Sequence, residues 1–188
     1  MNEILQIKNV NKNFGGLKAL NNVNINIKKN TLSAIIGPNG AGKTTLFNII
    51  CGNLKSNTGN IIFNNNDITN LPTHKISKLG LCRTLQVKSI FNNLTVKENL
   101  YIALQSNKGI FKLNNSLSCE NEIQDEMIRI SELLNLNNKL NLIAGSLSHG
   151  DISVIEIAIA LCLKPNFLLL DEPICGMGPY ETEQTIKI

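Results

Sequence analysis

The 188 residues are 43% apolar and 17% charged, which is core material enough for a folded unit and too little charge for intrinsic disorder. A net charge of +4, from 16 Lys and 2 Arg against 14 acids, is spread without a basic block, which disfavours a nucleic-acid partner. No apolar run reaches the roughly 18–20 residues that span a bilayer, Met1-Asn2-Glu3-Ile4 does not open a signal peptide, and the five scattered cysteines (Cys51, Cys82, Cys119, Cys162, Cys175) contain no Cys-x-x-Cys pair. The expectation is one soluble cytoplasmic globular domain, 1–188, in a reducing compartment. The thirty asparagines read as a composition bias of the source genome.

In chain order, residues 4–10 and 22–28 read as strands. Val23-Asn24-Ile25-Asn26-Ile27 alternates strictly, as a half-buried strand does, and Gly15-Gly16 supplies a turn between the two. Leu32-Ser33-Ala34-Ile35-Ile36 is a short apolar run expected as a strand, Lys43 to Cys51 a helix, and Ile61-Ile62-Phe63 a further strand. From Thr95 to Ile143 the spacing turns helical, with Ile123, Met127, Ile130 and Leu134 forming an amphipathic stripe. Ser153 to Leu163 predicts a second, more apolar helix stopped by Pro165. Phe167-Leu168-Leu169-Leu170 predicts a buried strand. The order implies an α/β core carrying a helical insert at about residues 88–146.

Gly37-Pro38-Asn39-Gly40-Ala41-Gly42-Lys43-Thr44-Thr45 satisfies G-x-x-x-x-G-K-[ST] in full. Glycines allow successive backbone N–H groups to turn inward around an anion, and the following helix N-terminus adds unpaired donors and a favourable dipole. Lys43 is placed to reach β- and γ-phosphates, and the Thr44 hydroxyl to take a Mg²⁺ coordination position. Downstream, the apolar strand ends in Asp171-Glu172. A buried strand running into charge needs a compensating partner. Mg²⁺ on Asp171 and a water on Glu172, the candidate general base, supply one.

These motifs resemble the ATP-binding cassette ATPases. Leu147-Ser148-His149-Gly150-Asp151, with Ser148 lying 23 residues before Asp171, is similar to that family's Leu-Ser-Gly-Gly-Gln signature. The resemblance implies a P-loop NTPase cassette with an N-terminal antiparallel β subdomain, a RecA-like core that is C-terminally incomplete, and a helical subdomain. It implies ATP and Mg²⁺ as cofactors and a second ATPase subunit, identical or different, whose γ-phosphate meets Ser148 and Gly150. Phe14 falls where the family places an aromatic on adenine. Gln86 matches the glutamine linking Mg²⁺ and the reacting water to transmembrane permease subunits. Phe14-Gly15-Gly16-Leu17, Arg83-Thr84 and Asn93-Leu94-Thr95-Val96 resemble the branched-chain amino acid branch of importers, with the urea and amide branch close by. The implied function is an ATP-hydrolysing importer subunit, peripheral on the inner face of the cell membrane. The alternatives are a truncated nucleotide-binding chain without ATPase activity, or a lipopolysaccharide-export-type or other cassette.

Four features depart from the pattern. Asp151 stands where the family mostly has Gln, and Ile152-Ser153 replace a polar-basic pair. Gly178 takes the place of an Asp or Asn in the loop after Glu172. The family's later histidine has no counterpart, since His74 and His149 both lie upstream and Ile188 comes 16 residues after Glu172. The expectation is the first part of a longer cassette.

Overall fold

The computed structural model describes residues 3–84, 90–107 and 117–171. Two compact units make up the chain, Met1–Leu81 and Cys82–Ile188.

The first unit is built on an antiparallel sheet in the order β2-β1-β3-β4, from β1 (Glu3–Phe14), β2 (Leu17–Lys28), β3 (Thr58–Phe63) and β4 (Asn66–Asp67). β1 and β2 run 12 residues each, against the seven expected for either, because asparagines carry the ladder through its irregularities. Register shifts fall between Ile7 and Val10 and between Val10 and Lys12. There Asn9 and Asn22 adopt left-handed backbone (φ 50 for both), while the Asn24 and Asn11 side-chain carbonyls accept from the N–H groups of Asn9 and Asn22. Among the described residues, seven of the eight non-glycine positions with positive φ are Asn. Asn tolerates this region because its short polar side chain bonds locally. Seven of the thirty asparagines therefore stand where the backbone favours Asn.

Leu5, Ile7 and Val10 of β1 and Ile61 and Phe63 of β3 are buried with Leu46, Ile49 and Ile50 of α1 (Lys43–Ile50). Each fully buried side chain of this kind contributes roughly 1.5–3 kcal/mol. The short helix α2 (Thr73–Lys78), which the periodicity does not reveal, buries Ile76 and follows Pro72 at its N-cap. The run 32–36 does not form the expected strand. Leu32 is 100% and Ile36 93% exposed, and no strand pairs with these residues among those described. A short apolar run makes a strand only where a ladder partner exists.

In the second unit, β5 (Leu81–Arg83) pairs with β6 (Phe167–Leu169). Helices α3 (Val96–Asn107), α4 (Leu117–Leu133) and α5 (His149–Cys162) share one core. The stripe Ile123, Met127, Ile130 and Leu134 is buried in it, against Val96 and Leu100 of α3 and Ile155 and Ala158 of α5. Thr95 and Glu98 form a capping box at the start of α3: Thr95 N–H donates to Glu98 Oε2 at 2.7 Å, and Glu98 N–H donates to Thr95 Oγ1 at 3.2 Å. Asn135 (φ 54) ends α4, and Leu136 N–H reaches back to Ser131 O at 2.7 Å, a Schellman closure. Buried Asn99 is satisfied on both ends: it accepts from Phe91 N–H and donates to the Phe91 and Thr95 carbonyls. α5 starts four residues earlier than its apolar pattern, because Ser148 caps it and Asp151 supplies an acid to its first turn.

Candidate functional site

The phosphate-loop residues lie in the first unit and the acidic strand end and signature turn in the second. In the loop, Gly40 and Gly42 have φ of +83 and +88, conformations that side-chain-bearing residues rarely adopt. Pro38, Asn39, Gly40 and Ala41 are exposed, so the loop backbone faces solvent. Gly42 is the N-cap of α1, with no side-chain cap and no acid in the first turn. A helix opening this way keeps its N-terminal field for an external anion. Lys43 Nζ donates to the carbonyl oxygens of Gly37 and Pro38, at 2.6 and 2.8 Å, which holds the cation across the loop. Thr44 and Thr45 follow in the first turn, half-buried. A phosphate chain fits this arrangement: a left-handed glycine backbone, an uncapped helix start and a positioned ammonium.

Phe14 ends β1, 47% exposed, with Lys12 Nζ 5.1 Å from its ring centroid. It is therefore not a core residue, and its ring is available for stacking. Lys12 also donates to the Lys55 carbonyl at 2.8 Å, which fixes the ammonium there.

In the second unit, Asp171 follows β6 and takes an ion pair from Arg83 of β5, Nη2 to Oδ2 at 2.5 Å. Both side chains are 6% exposed. Thr84 N–H donates to Leu169 O at 3.0 Å beside the pair, locking the strand ends that carry it. Ser148 Oγ accepts from Asp151 N–H at 3.2 Å, and Gly150 is buried in the first turn of α5. Asp151 pairs with Lys139, so the departure from Gln at this position carries a salt bridge to the turn Asn137–Lys139. Glu172 and Gln86, the candidate base and the candidate water ligand, lie outside the described residues, as does Gly178. Among the described residues no three His, Cys, Asp or Glu cluster. Cys162 is fully buried, and burial pushes its thiol up to about 12, so it stays protonated and takes no nucleophilic role.

Motif reading marks Arg83 only as part of the branch-specific Arg83-Thr84 and does not foresee its ion pair with Asp171. Its signal is compositional: in a chain that uses Lys at sixteen of eighteen basic positions, an Arg marks a place where the planar fork is needed.

The fold and the loop define a nucleotide-binding α/β cassette. The profile of the ABC transporter family matches residues 20–175, and the chain belongs to that family, whose cassettes bind and hydrolyse ATP. It is 41% identical over 180 residues, 94% of this chain and 70% of the relative, to the probable branched-chain amino acid transport ATP-binding protein LivG of Archaeoglobus fulgidus. A solved ATP-binding cassette of an ABC transporter in its ADP conformation superposes with a TM-score of 0.83 at 34% identity, covering 98% of this chain and 74% of that one. A dimeric cassette in a post-hydrolysis state with ADP and Pi superposes with a TM-score of 0.79 at 28% identity, covering 97% and 80%. The chain is an ABC importer ATPase subunit. Among the described residues, no helix is long and apolar enough to cross a membrane.

Proposed function

We propose that this subunit drives import of branched-chain amino acids or related small polar solutes, working as one of two cassettes beneath transmembrane permease subunits on the inner face of the membrane. The observation that carries the reading is the loop Gly37–Thr45, with its left-handed glycines, uncapped α1 and inward-held Lys43. The cargo rests on the relative's name, since selectivity would lie in partner chains.

In this reading the loop N–H groups and Lys43 bind the β- and γ-phosphates, and Phe14 lies against adenine. Thr44 and Asp171 would hold Mg²⁺, which when bound neutralises charge on the phosphates. Gln86 orients the attacking water and relays the state of the site to the permease. Glu172 accepts the water's proton. Ser148 and Gly150, at the start of α5, would meet the γ-phosphate of the second subunit's ATP, as in a head-to-tail dimer. Little covalent chemistry is asked of the protein: positioning and electrostatics carry the rate. Residues 1–188 are read as a single cassette unit whose helical insert runs at about 88–146.

The test is phosphate release from ATP by the purified protein, wild type beside Glu172→Gln. A missing general base should cost roughly a hundredfold or more in turnover. Equal turnover in the two would remove Glu172 from the mechanism.

A further inference from the structure

Asp171, assigned above as a metal ligand, already has a cation. Arg83 Nη2 lies 2.5 Å from Asp171 Oδ2, and both side chains are almost wholly removed from solvent. A pair so buried holds tightly, because losing either partner strands a charge in a poorly solvated place. The strands keep it in register, through the pairing of β5 with β6 and the Thr84–Leu169 hydrogen bond. Arg83 also lines a cavity of about 90 Å³ together with Glu156 of α5.

We propose that Arg83 is a positioning residue for Asp171: it holds the carboxylate oriented and charge-balanced, and a divalent cation arriving at Asp171 does so in competition with it. Arg83 thereby sets the divalent-ion affinity of the site. The proposal rests on the reading of Asp171 as a metal ligand. Two positive charges cannot both sit close to one carboxylate oxygen without mutual repulsion, so the fixed guanidinium weakens the incoming ion. Bound metal in turn loosens the tie between β5 and the end of β6.

The experiment titrates Mn²⁺ alone into the protein and reads free Mn²⁺ by electron paramagnetic resonance. Arg83→Gln keeps an N–H donor and removes the charge, and it should bind Mn²⁺ roughly tenfold more tightly, the scale on which one nearby charge shifts an ionic equilibrium. Arg83→Lys keeps the charge and should return affinity to the wild-type value, whereas Asp171→Asn should weaken binding. If Asp171→Asn weakens binding and Arg83→Gln leaves it unchanged, the competition is overturned and Asp171 stands as a ligand. If Asp171→Asn changes nothing, Asp171 is not a ligand and both readings fall. Should Arg83→Gln not fold, wild-type protein labelled in its two arginines decides the matter by NMR. Mg²⁺ should shift the Arg83 guanidinium signals and leave those of Arg129, which is bonded to Glu126, in place. An unmoved Arg83 overturns the proposal.

Discussion

Gly42 packs against the backbone of Ala19: a Cβ built on Gly42 would lie 2.6 Å from the Ala19 carbonyl oxygen and 2.9 Å from Leu20 Cδ2. The phosphate loop is thus seated directly on β2, and the last glycine of the motif serves two purposes. It takes a left-handed φ of +88, and it lets α1 start close to the sheet. Gly40 shares the left-handed conformation, but nothing lies within 4 Å of where its Cβ would be.

The contrast between these glycines gives a prediction. Gly40→Ala carries backbone strain alone, about 1 kcal/mol. Gly42→Ala carries the same strain and a clash with backbone that cannot rotate away, about 3 kcal/mol in all. Urea unfolding of both variants beside wild type measures the difference. Equal losses would mean that the loop does not sit on β2 as described.

The capping box of α3 predicts an acid-dependent effect. Hydrogen bonds from the Thr95 N–H and hydroxyl hold the Glu98 carboxyl below its ordinary value of 4.5. A carboxyl depressed by folding stabilises the fold above its unfolded pKa, and that stabilisation is lost as pH falls through the folded value. Glu98→Gln should therefore lower the urea midpoint at pH 7, and the gap to wild type should close as pH falls below 4.5. Glu126, lowered by its hydrogen bond to Arg129, and Asp67, lowered by Thr69, lose stabilisation in the same range but do so in both proteins. A gap unchanged between pH 7 and pH 3 contradicts the capping assignment.

Local patterns were legible where one element carries the whole signal. Residues 37–45 contain every part of the phosphate loop in consecutive order, and Ile123 to Leu134 show their buried face through spacing alone. The Arg83–Asp171 pair was hidden because 88 residues separate its members and only the pairing of β5 with β6 joins them. The run 32–36 misled in the opposite direction, since its apolar pattern names a strand but not a partner for its hydrogen bonds. Apolar spacing alone places the start of α5 at Ser153, four residues late, because His149, Gly150 and Asp151 in its first turn carry no apolar pattern. The asparagines at left-handed positions looked like composition until their backbone angles were seen.

The central claim is that the loop Gly37–Thr45 holds the phosphates of ATP, and thermal unfolding with and without ATP tests it most directly. Lys43 Nζ bonds to the loop carbonyls of Gly37 and Pro38, within its own loop, so Lys43→Ala should unfold close to the wild-type temperature. Adding ATP should raise the wild-type unfolding temperature, as any ligand selective for the folded state does, and leave that of Lys43→Ala unmoved. Equal protection of the two proteins would contradict the account and place the nucleotide elsewhere.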